Sequence, residues 1–382
     1  MMNNLNQSTD ILIVGSGINA MACVAFCKKY SLSFRLLASS VGLMSRNRHF
    51  TITQTTKRIL RDLELWNGVD EKEHGYFNSI QILDDNGVID LEFNNSTNSD
   101  VPMAWVVKEK LLSSHMDKLL EKEEHRFSAL KILKNDQEGI VVEDESNNIY
   151  RASLALITEN FQTGDEDSKN KEQRVRKYSQ FALVGDLVSE NCHNNVALQW
   201  FTKEGILALL PTKDSHGYSL IYSCNQDSEL QNNTLSMNLL PVSLINKHIG
   251  NILSFENLTT YELFEKWRTS VYDNSMVWLG SAAFSFHPLA GQGLNFAIKN
   301  IDRLFSLVVH QKNYSNSIAR QTRLRNFNKV VMNDSTRLIG FINLIKNYFD
   351  ESDESCKVLR KTLLKLINKS SSLKRFAVKS AS

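Results

Sequence analysis

Two rhythms of apolar and polar residues alternate along the chain. Asp10 to Val14 is a short apolar run that breaks at Gly15-Ser16-Gly17. Residues from Ile18 to about Tyr30 predict a helix, and Leu32 to Leu37 predicts a second strand, so the chain opens on a β-α-β unit. Ser153 to Ile157 and Met276 to Leu279 are further short buried strands. The other rhythm has period two. Ser79 to Leu83 and Val88 to Phe93 flank the turn Asp84-Asp85-Asn86-Gly87, which predicts a hairpin. Phe181 to Leu187, Ala197 to Phe201, Ile206 to Leu210 and Tyr218 to Tyr222 read as antiparallel strands, with Lys203-Glu204-Gly205 as one turn. Helices are expected after Thr53 up to Leu65-Trp66, from Leu111 to Leu120, from about Leu294 to Val309, from Asn313 to Phe349 and from Val358 to Ile367.

Composition narrows the picture only a little. The 382 residues are 42% hydrophobic and 23% charged with a formal net charge of +2, ordinary for a soluble protein, and the length suggests two domains or one large one with a subdomain. Nothing in that balance points to a nucleic-acid partner. No apolar run reaches the ~20 residues needed to cross a bilayer, and Met1 to Asp10 is polar, so a cytoplasmic location is expected, at most peripheral to a membrane. The five cysteines have no zinc-like spacing; they are expected as reduced core fillers, and no metal site is expected.

The candidate chemistry sits where strands meet glycine. Gly15 permits a tight turn, Gly17 lets a pyrophosphate approach the backbone, and Ala20 keeps the helix close to the strand. The acidic residue that usually follows at the end of the second strand is absent: Ala38 stands there, with Ser39 or Ser40 as neutral substitutes. The second stretch runs Gly280-Ser281-Ala282-Ala283, then through Pro288 to Gly291-Gln292-Gly293-Leu294-Asn295. It reads as strand, ligand loop and helix N-terminus in series. The N–H groups of Gly291, Gln292 and Gly293 would lie at the positive end of the helix dipole and suit an electron-rich ligand edge.

This G-x-A-A-x-x-x-x-P-x-x-G-Q-G-x-N string resembles the second flavin motif of the FAD-dependent aromatic hydroxylases, and within them it looks most like the ubiquinone-biosynthesis (2-polyprenylphenol) hydroxylases. Gln199 to Pro211 carries the same resemblance. It implies an α/β fold: a Rossmann-like FAD-binding domain of the para-hydroxybenzoate hydroxylase type (residues 1–75, 100–175 and 265–310), an antiparallel substrate-domain sheet (76–99 and 176–264) and C-terminal helices (311–382). It implies FAD as cofactor, NAD(P)H as electron donor and a polyprenylated phenol as substrate. By the same resemblance Arg48 lies near the flavin phosphate and ribityl chain. Glu159, Asn160 and Thr163 stand for the A-D-G-x-x-S residues, and Ser281 replaces the Asp that contacts the ribityl chain beside Gly280. Pro288, Gly291, Gln292, Gly293 and Asn295 would hold the reducible ring. Lys108, Glu109 and Lys110 depart from the family pattern at the start of a helix that leans over the cofactor. No catalytic side chain is assigned, since the flavin carries the difficult chemistry; His287 could act on a substrate hydroxyl, but a loop histidine is more often structural, and it reads as structural. The basic tail, Lys357 to Lys379, is amphipathic and could rest on an anionic membrane. The alternative is a non-catalytic paralogue acting as accessory subunit of a ubiquinone-biosynthesis complex. An NAD(P)-only oxidoreductase has no use for the P-x-x-G-Q-G-x-N loop.

Overall fold

A computed structural model describes residues 8–39, 48–67, 69, 71–84, 86–94, 101–117, 124–127, 130–159, 173–202, 204–225, 240–287, 291–310 and 316–349. The chain opens with β1 (Ser8–Val14), α1 (Ile18–Lys29) and β2 (Phe34–Ser39), then β3 (His49–Thr53) and α2 (Gln54–Asp62). Four strands follow, β4 (Gly75–Phe77), β5 (Ser79–Leu83), β6 (Ile89–Asn94) and β7 (Ala104–Lys108), and then α3 (Glu109–Asp117). Next come β8 (Glu124–Phe127), β9 (Leu130–Asn135), β10 (Ile140–Asp144) and β11 (Ile149–Ile157). The long middle holds β12 (Gln173–Ser189), β13 (Val196–Phe201), β14 (Gly205–Pro211), β15 (Gly217–Asn225), α4 (Val242–Ile249) and β16 (Ile252–Arg268). Last are β17 (Tyr272–Asp273), β18 (Met276–Trp278), β19 (Phe284–Ser285), α5 (Gln292–Leu304) and α6 (Ser317–Phe349).

Three sheets result. In the first, β18, β11, β1, β2 and β8 lie side by side and parallel; β17 and the β9–β10 hairpin add antiparallel neighbours. Residues of the second half of β1 point alternately into two cores, which is why Ile11–Val14 is apolar throughout. Ile11 and Ile13 pack with helices α1 and α5, while Leu12 and Val14 pack with Leu130, Ile140 and Val142. The second sheet runs β19-β16-β12-β15-β14-β13-β5-β6 and is antiparallel except where β13 lies parallel to β5. Its alternation buries Leu183, Trp200, Leu207, Leu209, Leu220 and Tyr222 in one core, closed by Leu244 and Ile245 of α4. The third is the small antiparallel sheet β3-β7-β4.

The mixed α/β architecture with a Rossmann-like unit and a separate antiparallel sheet is as the sequence predicts. The expected hairpin is β5–β6, with Asp84 Oδ1 accepting from Asn86 N at 2.9 Å and Val88 N at 2.8 Å across the turn. Strands β12 and β16 run past the expected boundaries at 175/176 and 264/265, because an antiparallel ladder, interrupted by register shifts, joins them from Gln173–Arg268 onward. Helix α5 starts at Gln292, earlier than the apolar spacing suggests. Among the described residues no helix is long and apolar enough to cross a membrane. The helix expected from Val358 to Ile367 and the basic tail lie outside the described residues.

Candidate functional site

The site is built at the C-terminal ends of β1, β11 and β18, where ligands bind in open α/β sheets. After Val14 the chain turns through Gly15 (φ 132°) and Gly17 (φ 83°). Gly15 N donates to Leu37 O at 2.8 Å, and Thr158 N donates to Val14 O at 2.9 Å, so the ends of β1, β2 and β11 are tied at one level. A Cβ on Gly15 would collide with Thr158 Oγ1. Gly17 caps α1 without any side-chain cap, and no acidic residue lies in the first turn, so that helix end is left for an electron-rich group. Ala20 is fully buried against the core, as close helix–sheet packing requires.

Glu159 lies across this turn. Its Oε2 accepts from Ser16 Oγ at 3.0 Å, while its Oε1 is buried with no hydrogen-bond partner. Asn19 Oδ1 is a second buried acceptor of this kind, and the Asn19 side chain packs beneath Gly280, whose φ of 56° and missing Cβ permit the contact. Leu279 N donates to Ile157 O at 2.8 Å, and Ser281 Oγ donates to Thr158 O at 3.4 Å. The structure therefore brings Gly15, Gly17, Glu159, Gly280 and Ser281 together.

Gly291, in the left-handed conformation (φ 58°), caps α5 without a side-chain hydrogen bond, and that first turn is also free of acids. The helix packs against α1, α2, β3 and the Gly280–Ala282 turn. A Cβ on Gly291 would press on Thr51, whereas a Cβ on Gly293 would meet nothing within 4 Å. Asn295 is 3% exposed, and its amide is used within the protein. Its Oδ1 accepts from Thr53 N at 3.0 Å, and its Nδ2 donates to Thr51 O at 2.8 Å and Gly291 O at 3.2 Å. It positions the helix N-terminus against β3 rather than reaching out of it. Pro288, Asn160 and Thr163 lie outside the described residues.

Arg48 is held by Glu109: Nε donates to Oε2 at 2.7 Å and Nη2 to Oε1 at 3.1 Å, and the guanidinium lies 4.8 Å from the Phe50 ring centroid. Sequence reasoning did not pair these two; the available signal was a single acid between two lysines at the start of α3. Next to them His49 Nδ1 lies 3.5 Å from Asp186 Oδ1 of β12, and Asp186 Oδ2 accepts from Asn257 Nδ2 at 2.9 Å with Lys108 Nζ at 3.6 Å. Burial pulls the His49 pKa down to about 4, with Lys108 adding to the shift and Asp186 opposing it. Among the described residues no group of three or more His, Cys, Asp or Glu is placed to hold a metal ion.

These features suit a dinucleotide with a polyol segment. Two uncapped helix N-termini offer backbone donors to phosphate and ring oxygens, and the two orphan acceptors, Glu159 Oε1 and Asn19 Oδ1, call for hydroxyl donors. The end of β2 contributes no carboxylate, since Ala38 is there and is 1% exposed.

No family model matches the chain. Among curated proteins it is similar to ubiquinone hydroxylase UbiL of Rhodospirillum rubrum, 20% identical over 98% of this chain and 90% of that protein. Ubiquinone hydroxylase UbiM of Neisseria meningitidis is 20% identical over 98% of this chain and 85% of the relative. The 3-demethoxyubiquinol 3-hydroxylase of Escherichia coli is 25% identical over 54% and 53% respectively. Among solved structures, Klebsiella pneumoniae HpxO, complexed with FAD and uric acid, superposes with a TM-score of 0.73 at 10% identity, covering 99% of this chain and 98% of the other. The p-nitrophenol 4-monooxygenase PnpA of Pseudomonas putida gives 0.71 at 12% identity, covering 98% of both chains. The fold is that of the FAD-dependent aromatic hydroxylases, and the sequence is similar to the ubiquinone hydroxylases among them.

Proposed function

We propose that the protein is a flavin-dependent monooxygenase of ubiquinone biosynthesis that hydroxylates the aromatic ring of a polyprenylated phenol, with NAD(P)H as electron donor. The carrying observation is the convergence of the Gly15–Gly17 turn, Glu159 and the Gly280–Ser281 turn at the ends of three neighbouring parallel strands. Helix α5 packs on the same Gly280–Ala282 turn. When bound, FAD would supply the activation of O2 and the transfer of one oxygen atom to the ring.

The chain's own residues hold and shield. Gly15, Gly17 and the start of α1, with Ala20 behind them, would seat the diphosphate; Glu159, Gly280 and Ser281 would meet ribityl hydroxyls, with Arg48 nearby. The α5 N-terminus, from Gly291 through Gln292 and Gly293, would stabilise negative charge on the flavin ring edge, Pro288 preceding it and Asn295 fixing its position. Residues 1–75, 100–175 and 265–310 form the FAD-binding domain in this reading. The sheet of 76–99 and 176–264 would cover the ring being hydroxylated and keep water from it, and 311–382, of which α6 (Ser317–Phe349) is described, would follow as the C-terminal segment. The basic tail would carry the protein to a membrane surface where a polyprenylated substrate resides.

A second reading has its own support. Glu109 neutralises Arg48, and Ala38 stands in place of a ribose-binding carboxylate, as a non-catalytic accessory subunit of a ubiquinone-biosynthesis complex would tolerate. The visible spectrum of the protein purified without added flavin separates the two. Oxidised-flavin bands, or saturable binding on titration with FAD, are expected for the enzyme; their absence under both conditions would favour the accessory role.

A further inference from the structure

At the end of the large sheet remote in sequence from every glycine motif, a nucleophile and a base face each other. Cys192 lies in the connection between β12 and β13, and His216 in the turn between β14 and β15. Their side chains meet with Sγ 3.3 Å from Nε2. The other ring nitrogen of His216, Nδ1, lies 3.1 Å from the carbonyl oxygen of Ser189. A carbonyl can only accept, so Nδ1 carries the proton in that bond, and in the neutral ring Nε2 is then the basic nitrogen, aimed at the thiol.

The frame around the pair is fixed. Ser189 N donates to His216 O at 2.9 Å, His193 N to Ser215 O at 2.8 Å, and His216 N to Asp214 Oδ1 at 3.0 Å. A nucleophile within reach of a base that is itself oriented by a third group is the arrangement that activates thiols. The chain's other described cysteines differ in kind: Cys23, Cys27 and Cys224 are buried, and burial pushes the Cys23 and Cys27 thiols up, whereas Cys192 is exposed. A small reagent can therefore reach the Cys192 thiol, which has a base beside it.

We propose that Cys192 and His216 form an activated thiol site that takes low-molecular-weight disulfides. In the reaction His216 Nε2 accepts the thiol proton, and Cys192 Sγ attacks one sulfur of the small disulfide. A new S–S bond forms to Cys192, the old S–S bond breaks, and the leaving thiolate takes up the proton. Cys192 is oxidised to a mixed disulfide and half of the reagent is reduced to free thiol, so no further oxidant is required. This site is independent of flavin binding and of the proposed hydroxylation.

Oxidised glutathione is the probe, applied to the full-length protein carrying Cys356→Ser, since Cys356 lies outside the described residues. The expected result is a single glutathionyl adduct, mapped to Cys192 and removed by dithiothreitol. His216→Asn, which keeps a side-chain N–H toward Ser189 O, should slow adduct formation at pH 7 about tenfold or more. Equal rates in a folded His216→Asn protein overturn the proposal, as does a native protein in which Cys192 stays unmodified. If His216→Asn does not fold, His216→Gln takes its place: a slower adduct at Cys192 in that protein supports the dyad, and a rate equal to the parent's overturns it.

Discussion

Glu159 and Ser281 meet at Thr158: the first lies one residue on, and the second donates to its carbonyl oxygen at 3.4 Å. Ser281 is exposed, so a carboxylate introduced there enters solvent-accessible space beside the glycine turn rather than the core. A charge-assisted hydrogen bond to a polyol hydroxyl contributes roughly 1.5–3 kcal/mol, so Ser281→Asp should tighten FAD binding by about tenfold or more in a fluorescence titration. Ala38 offers no such route. Its side chain is 1% exposed in β2, and Ala38→Glu would bury an unpaired charge, so a lower Tm is expected with no gain in FAD affinity. Arg48 supplies a third test. Glu109→Gln keeps the shape of its partner and removes the charge that holds it; FAD affinity should rise several-fold if the freed guanidinium faces the diphosphate. An unchanged affinity would leave Arg48 a structural residue tied to α3. None of these distinctions was legible in sequence. The Arg48–Glu109 contact spans 61 positions, and the orphan oxygens of Glu159 and Asn19 follow from packing around turns whose glycines alone are visible in the chain.

Helix α5 and strand β3 act as one element through Asn295. Its amide closes three hydrogen bonds to backbone groups of Thr51, Thr53 and Gly291, two of them in the buried interior. Asn295→Ala removes all three, and a loss of about 2–4 kcal/mol is expected in denaturant unfolding. Elements of this part of the chain were legible because periodicity and punctuation agree: a run of apolar strand residues, then glycines, then a helix, as in β1-α1 and β18-α5. The large sheet was legible only in part. Strand β14 alternates cleanly, but β16 does not: its first part, through Tyr261, has no fully buried residue, so Glu256-Asn257-Leu258-Thr259-Thr260 shows no hydrophobic period. Its long ladder with β12 is a tertiary outcome. The β9–β10 hairpin escaped for a related reason, since Lys131, Leu133 and Lys134 face solvent and break the apolar run.

At the scale of the whole molecule, the small sheet and the large sheet are joined at His49 and Asp186, and the burial of His49 at this junction makes stability depend on pH. The His49 pKa is lowered from 6.5 to about 4 by burial, so below pH 6.5 the unfolded chain takes a proton that the folded protein refuses. Stability should therefore fall as pH drops from about 6.5 toward 4, by up to about 3 kcal/mol, and His49→Asn should flatten that slope in unfolding measured across the interval. Catalysis calls for a test that leaves this framework untouched, and Gly293 permits one. The residue is exposed in the first turn of α5, its φ lies outside the left-handed region, and a Cβ there meets nothing within 4 Å, so a side chain costs the fold little. An acid in the first turn even favours the helix. Yet the same carboxylate would project into the space where the proposed flavin ring edge gathers negative charge, and two like charges in a water-poor cleft repel strongly. Gly293→Asp should thus retain the parent's Tm within a degree or two while abolishing quinone production in a cell that depends on this protein. An accessory subunit whose partner surfaces lie elsewhere would pass that test unharmed. Full quinone production by a well-expressed Gly293→Asp variant would reject hydroxylation by this chain and turn attention to the proteins it binds.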